Sequence, residues 1–322
     1  MIDATGFFDK LRVIRMTKQT RNWLIALCIL AFPFVLFSIF FFSRLADIPP
    51  TPPPVPNPNG YDDLVKASQM LVANGDNSDA TNLEQLREWV PKNAGALAVA
   101  RAGLSNQCRA PIQYTESYIS NHLDDLAGLK RLARAFAAEG RLAETENRTN
   151  DAIKAYLDTI HFANESARGG VLIDTLVGIA IESIGTSHLT NLVGHLDAKS
   201  CRETAIALEA FDSQRQPWSE VMQQENAWSH AAFRGWRYEL ARLEERNTLK
   251  AVFAGTKQKF DAQVQRTRQL MIDLAARAYE LDKDHPPASA ADLVPEYLKA
   301  VPQDPVTGTN MFFHRNNGWQ PT

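Results

Sequence analysis

His188 and His195 stand seven residues apart, two turns of a helix, so a helix would carry both on one face. A zinc-type site in that setting needs further His or carboxylate ligands at i, i+4 spacing, as in HExxH. Neither histidine has such a partner, and no metal site is expected. Gly169-Gly170 is a solitary pair, not a glycine-rich loop that could cradle phosphate. There is no GxSxG, no Cys-x-x-Cys and no context for a catalytic cysteine. The chain therefore offers no catalytic residue and no cofactor-binding residue by motif. An enzyme would have to assemble its groups from remote positions.

Three cysteines remain to be placed. Cys28 lies in an apolar run. Cys108 and Cys201 lie in the body, where a disulfide between them is possible in an oxidising compartment; the alternative is two small buried hydrophobes. The stretch "AWSHAAFRGWRYELARLEER" interleaves Trp228, Trp236 and Tyr238 with Arg234, Arg237, Arg242 and Arg246. Such interleaving can bind single-stranded nucleic acid. Here acidic residues offset the arginines, and the aromatics fall partly on a core stripe. Six of the 34 Lys+Arg and three of the 37 Asp+Glu precede Pro49, which leaves 28 against 34, a net charge of −6. That mildly acidic body excludes nucleic acid as the expected partner.

The elements that hold these residues begin with a membrane segment. Trp23 to Phe42 contains no charge and as a helix would measure about 30 Å, the thickness of a bilayer core. No small-x-small cleavage site follows it. Lys10, Arg12, Arg15, Lys18 and Arg21 precede it and only Arg44 closely follows. The bias predicts a single-pass anchor with a cytoplasmic N-terminus and an extracytoplasmic body, at a bacterial inner membrane. Pro49 to Pro58 has seven prolines in ten residues and reads as an extended polyproline spacer of about 31 Å.

The expected organisation is a basic tail (1–22), an anchor (23–42), a spacer (43–59), an all-α body (60–258) and a small α+β module (259–322). Within the body, "YDDLVKASQMLVANG" reads as a helix ending at Gly75. Thr81 with Glu84 reads as a capping box, and so does Ser200 with Glu203. Pro91 is expected to break or restart its helix. Long helices are expected over 120–146 and from Thr149 to the Gly169-Gly170 break. "VLIDTLVGIAIESIG", which carries Asp174 and Glu182, is too short and too polar to span a membrane and reads as the central core helix. Phe233, Trp236, Leu240 and Leu243 continue a helical stripe. Strand-like alternation is confined to the last dozen residues.

Two stretches resemble known families. Over residues 132–164, Phe136, Gly140, Ala152 and Tyr156 stand where a tetratricopeptide repeat has its aromatic, glycine, alanine and aromatic; the resemblance implies two closely packed antiparallel helices. Near the C-terminus, His285-Pro286, Leu293-Val294-Pro295, Tyr297-Leu298, Pro302, Asp304-Pro305 and Gly308 resemble the C-terminal region of the major pseudopilins of type II secretion. That resemblance implies a long helix, a proline turn, a short helix and then a strand. Leu11 stands where that family carries a glutamate, counting from Phe7, and the proline run interrupts what would be one helix. The layout as a whole resembles uncharacterised bacterial envelope proteins.

The expected function is therefore binding or scaffolding of other envelope proteins by a membrane-anchored helical body. An accessory part of a secretion or pilus-like apparatus comes second, and an envelope enzyme third.

Overall fold

The structure, a computed structural model, describes residues 18–45, 51–72, 82–233 and 246–311. Among them are nine α-helices: α1 (Lys18–Leu45), α2 (Gly60–Met70), α3 (Leu83–Leu104), α4 (Tyr118–Thr145), α5 (Thr149–Ala167), α6 (Leu172–Leu192), α7 (Ala198–Ser213), α8 (Trp218–Ala232) and α9 (Arg246–Lys283). Single turns of 3-10 helix follow at Val193–His195 and Ala290–Leu293. The chain divides into two units, one holding α1 and the other holding the remaining helices.

In the first unit, α1 runs unbroken through Pro33. Trp23, Ile29, Leu30, Phe32, Phe34 and Phe37 are exposed along it. The expected transmembrane anchor is corrected here: among the described residues, no helix is long and apolar enough to cross a membrane. The helix is not the uncharged stretch alone. It begins at Lys18 and closes at Leu45, so its ends include Lys18, Arg21 and Arg44.

In the second unit the all-α expectation holds. Asn59 caps α2 by accepting from the Tyr61 N–H, and Asn82 caps α3 by accepting from the Glu84 N–H at 3.0 Å. Thr81, the expected cap, lies outside the described residues. Pro91 does not break α3; the helix forgoes the one bond that the missing N–H would make to Arg87. α2 stops at Met70, short of Gly75, because the chain turns back on α3. The Val72 N–H donates to Asn93 Oδ1 at 2.8 Å, and Trp89 Nε1 donates to the Val72 carbonyl at 3.1 Å. α7 starts at Ala198, capped by Asp197 through the Ser200 N–H at 2.7 Å, so Ser200 sits inside the first turn and not at its cap. α8 ends at Ala232, and Phe233 leaves the helix; Trp236, Leu240 and Leu243 lie outside the described residues.

Burial divides between two large clusters joined by α5 and α6. One gathers Tyr61, Leu64, Leu97, Leu129, Phe136 and Phe162; the other gathers Tyr156, Ile160, Leu189, Leu208, Leu274 and Tyr297. The α4–α5 hairpin closes at Gly140, where any Cβ would run into the Tyr156 ring.

The C-terminal stretch corrects the expected α+β tail. Among the described residues there is no strand, only an isolated antiparallel bridge between Gln303 and Asn310. Pro302 and Pro305 lack the N–H that a ladder would need. Asp304 builds a tight turn instead, accepting from the N–H groups of Val306 and Thr307 at 2.9 and 2.8 Å. The short helix is a single 3-10 turn, capped by Asp292, which accepts from the Ala288 and Ser289 N–H groups at 2.8 Å each. Leu293, Tyr297 and Leu298 are buried in the same cluster as Leu270 and Leu274 of α9. Phe312, Phe313 and Trp319 lie outside the described residues.

Candidate functional site

The proline-rich arm makes one wall of a cleft. Asn59 fastens it to the loop between α3 and α4: its amide oxygen accepts from the Arg109 N–H at 2.9 Å, and its amide nitrogen donates to the Arg109 carbonyl at 2.9 Å. The Gly60 N–H adds a bond to the Gln107 carbonyl at 2.9 Å. Pro54 to Pro56, the 105–109 loop, the end of α5, Gly169 and the α7–α8 loop then line an open cleft of about 810 Å³. That lies within the range of small-ligand pockets, about 300–1,000 Å³. Gly169 is at φ +71°, and a side chain there would also strike the stem of Arg109 at 2.8 Å, so only glycine fits. Its N–H donates to Gln216 Oε1 at 2.8 Å.

Most ionisable groups in this cleft are already engaged or uncharged. Arg168 grips Glu165, with Nη2 to Oε1 at 2.5 Å, and also donates to the Gln214 carbonyl at 2.9 Å. His161 stacks on Phe211 with ring centres 4.8 Å apart, and burial pulls its imidazole below the usual range, so it is neutral near pH 7. Burial, followed by the charge of Glu165, pushes the Cys108 thiol up to about 12. A thiol so raised is not a nucleophile.

No protein-family model, curated protein or solved structure matches this chain.

Two buried polar networks are anchored on α6. Asp174 Oδ2 accepts from the Val171 N–H at 2.8 Å and caps α6, while Oδ1 meets His122 Nε2 at 2.8 Å. The other nitrogen of His122 faces Asp125 at 3.5 Å, and Tyr118 stacks on the imidazole at 5.1 Å. Burial pulls His122 down, but the bond and charge of Asp174, then of Asp125, outweigh it and hold the imidazole above its ordinary range. Two turns along α6, Glu182 receives both arms of Arg215, at 2.7 and 2.5 Å, and the Thr267 hydroxyl at 2.6 Å. Arg215 and Arg268 both reach Asp212, at 3.3 and 2.8 Å.

The residues singled out by sequence are dispersed. Cys108 lines the cleft and Cys201 sits in the other large cluster; both are free thiols. His188 lies flat on Tyr156, ring centres 4.6 Å apart and nearly parallel, and burial lowers its imidazole. His195 closes the 3-10 turn after α6. Among the described residues no group of three His, Cys, Asp or Glu side chains is placed to hold a metal ion. Trp228 is buried, packed against Tyr118 and donating to the Thr115 carbonyl at 3.3 Å; Trp236 and Tyr238 lie outside the described residues. Sequence reasoning passed over Arg109, His122, Arg215 and Glu220. The signal for two of the four was present: Asp174 and Glu182 are carboxylates on the most apolar helix of the body, and each demands a partner.

Proposed function

We propose that the protein is a non-catalytic binding or scaffolding module of a bacterial envelope, held at the inner membrane, with the cleft beside the proline-rich arm as its binding site. The observation that carries this reading is the state of the groups in the cleft. A protonated thiol, a neutral histidine stacked on an aromatic ring and a carboxylate held by arginine provide walls and hydrogen bonds, not a nucleophile with its base. The exposed apolar side chains of α1 supply affinity for an apolar phase, and the basic residues ahead of it suit an anionic lipid surface.

The experiment places a photo-cross-linking residue at Ser105, on the cleft rim, and at Leu123, an exposed position on α4, in intact cells. Discrete adducts from Ser105 and none from Leu123 are expected. Equal labelling from both positions, or no adduct from Ser105, overturns the assignment of the cleft.

A further inference from the structure

Helices α2, α4, α6 and α8 meet around His122, and they bring an excess of acid. From α4 itself come Asp125, 3.5 Å from Nδ1, and Tyr118, stacked on the ring. The Tyr61 hydroxyl of α2 stands 3.4 Å from Nε2, and Asp174 Oδ1 of α6 stands 2.8 Å from the same nitrogen. α8 reaches the cluster through Glu225. Its Oε2 accepts from the Leu172 N–H at 2.9 Å, next to the Val171 N–H that Asp174 Oδ2 takes at 2.8 Å. Two carboxylates thus sit on neighbouring amides at one helix start. Among the described residues, His122 is the only basic side chain bonded to Asp174. Burial lifts the Glu225 carboxyl above its ordinary range; the Leu172 bond opposes this, and the charge of Asp174 adds to it. α8 has few other fastenings. It buries Val221, Gln224 and Trp228 alone. Gln224 Nε2 donates to the Tyr114 hydroxyl at 2.8 Å, and Trp228 Nε1 to the Thr115 carbonyl at 3.3 Å.

We propose that α8 is a pH-gated strap, docked while both ring nitrogens of His122 are protonated and released when one is not. An imidazolium donates from both nitrogens and a neutral imidazole from one. Loss of the second proton leaves Asp125, Asp174 and Glu225 as like charges around a neutral ring, and a poorly solvated site screens their repulsion weakly. α4 and α6 bury long faces against several helices and stay in place; the thinly fastened α8 is the element that can leave. The imidazole is held above its ordinary range, so docking is complete at lower pH and is lost as pH rises through that higher value. Protonation of Glu225 at still lower pH removes the same repulsion and acts in the same direction. Gln216, just ahead of α8, and Glu220 within it line the cleft, so release of α8 opens that wall. This last consequence rests on the cleft being a binding site; the docking of α8 does not.

The test is amide hydrogen exchange read by mass spectrometry on the full chain in detergent from pH 6 to 9, corrected for the chemical exchange rate at each pH. Protection of the α8 amides should fall at least about tenfold across that range, and that of α5 should fall less. Glu225→Gln keeps an acceptor for the Leu172 N–H but removes one charge, so α8 should stay protected up to pH 9. His122→Gln should leave α8 weakly protected at every pH. Circular dichroism checks that each variant keeps its helices; should His122→Gln not fold, Glu225→Gln decides alone. Constant α8 protection in the native chain, an equal fall in α8 and α5, or a fall that persists in Glu225→Gln overturns the proposal. If α8 responds to pH while Ser105 fails to cross-link, the strap stands and only the cleft reading falls. If Ser105 cross-links while α8 does not respond, only the strap falls.

Discussion

The two carboxylates of α6 receive opposite treatment. Asp174 gives one oxygen to the start of its own helix and the other to a histidine, with a second carboxylate, Asp125, on the far side of the ring. Glu182 is met by a bidentate arginine and a hydroxyl. One network can be charged or discharged near neutral pH, because imidazole titrates there; the other cannot, because guanidinium does not. The difference teaches that a buried acid in this fold is tolerated by two distinct means, one conditional and one permanent.

Breaking the permanent pair should have the largest effect. Arg215→Met leaves Glu182 buried without its partner, and urea denaturation should show a loss of about 3–5 kcal/mol. A comparable effect from packing alone is expected in the tail. Leu298 is buried against α9, and Leu298→Ala should cost about 2–4 kcal/mol, measured in the same assay, whereas His285, exposed and touching Tyr279 only edge-on, should cost under about 0.5 kcal/mol as alanine.

The conditional pair sharpens the comparison through pH. His122 is held above its ordinary range in the folded state, so its contribution is complete below the ordinary imidazole range and disappears as pH rises through the higher folded value. Stability curves from pH 5 to 9 should fall across that window in the native protein. His122→Gln should flatten this fall, and Arg215→Met should lower the whole curve without removing it. A smaller effect is expected at the thiols. With Cys108 and Cys201 free, reducing agent should leave the melting temperature unchanged, and mass spectrometry of unreduced peptides should find no bridge between them.

Helix content was legible from period and caps; partners across helices were not. Apolar spacing and Thr149, Gly169 and Gly170 placed both ends of α4 and α5 and the start of α6 to within a few residues, because local rules govern those ends, whereas α6 runs on past Gly185 to Leu192. Pro91 was misread because one lost backbone bond is affordable inside a helix packed along its length. The expected α+β tail was misread because Pro302, Asp304 and Pro305 carry the same turn signals around an isolated bridge as around a hairpin; most of the last dozen residues, where the strand was expected, lie outside the described residues. The cleft was illegible for a different reason. Arg109 and Asn59 are fifty positions apart, Glu220 is farther still, and no periodicity links residues that meet only after the helices have packed. At α1, hydropathy alone pointed to a crossing segment, whereas the helix takes in Lys18, Arg21 and Arg44 as well.

The clasp between Asn59 and Arg109 has a mechanical meaning. Whatever pulls on the chain upstream of residue 59 transmits part of its load through two hydrogen bonds between Asn59 and Arg109 and one from Gly60 to Gln107. These bonds belong to the wall of the cleft. Tension along the arm is therefore shared between the start of α2, through the backbone, and the 105–109 wall of the cleft, through these three hydrogen bonds.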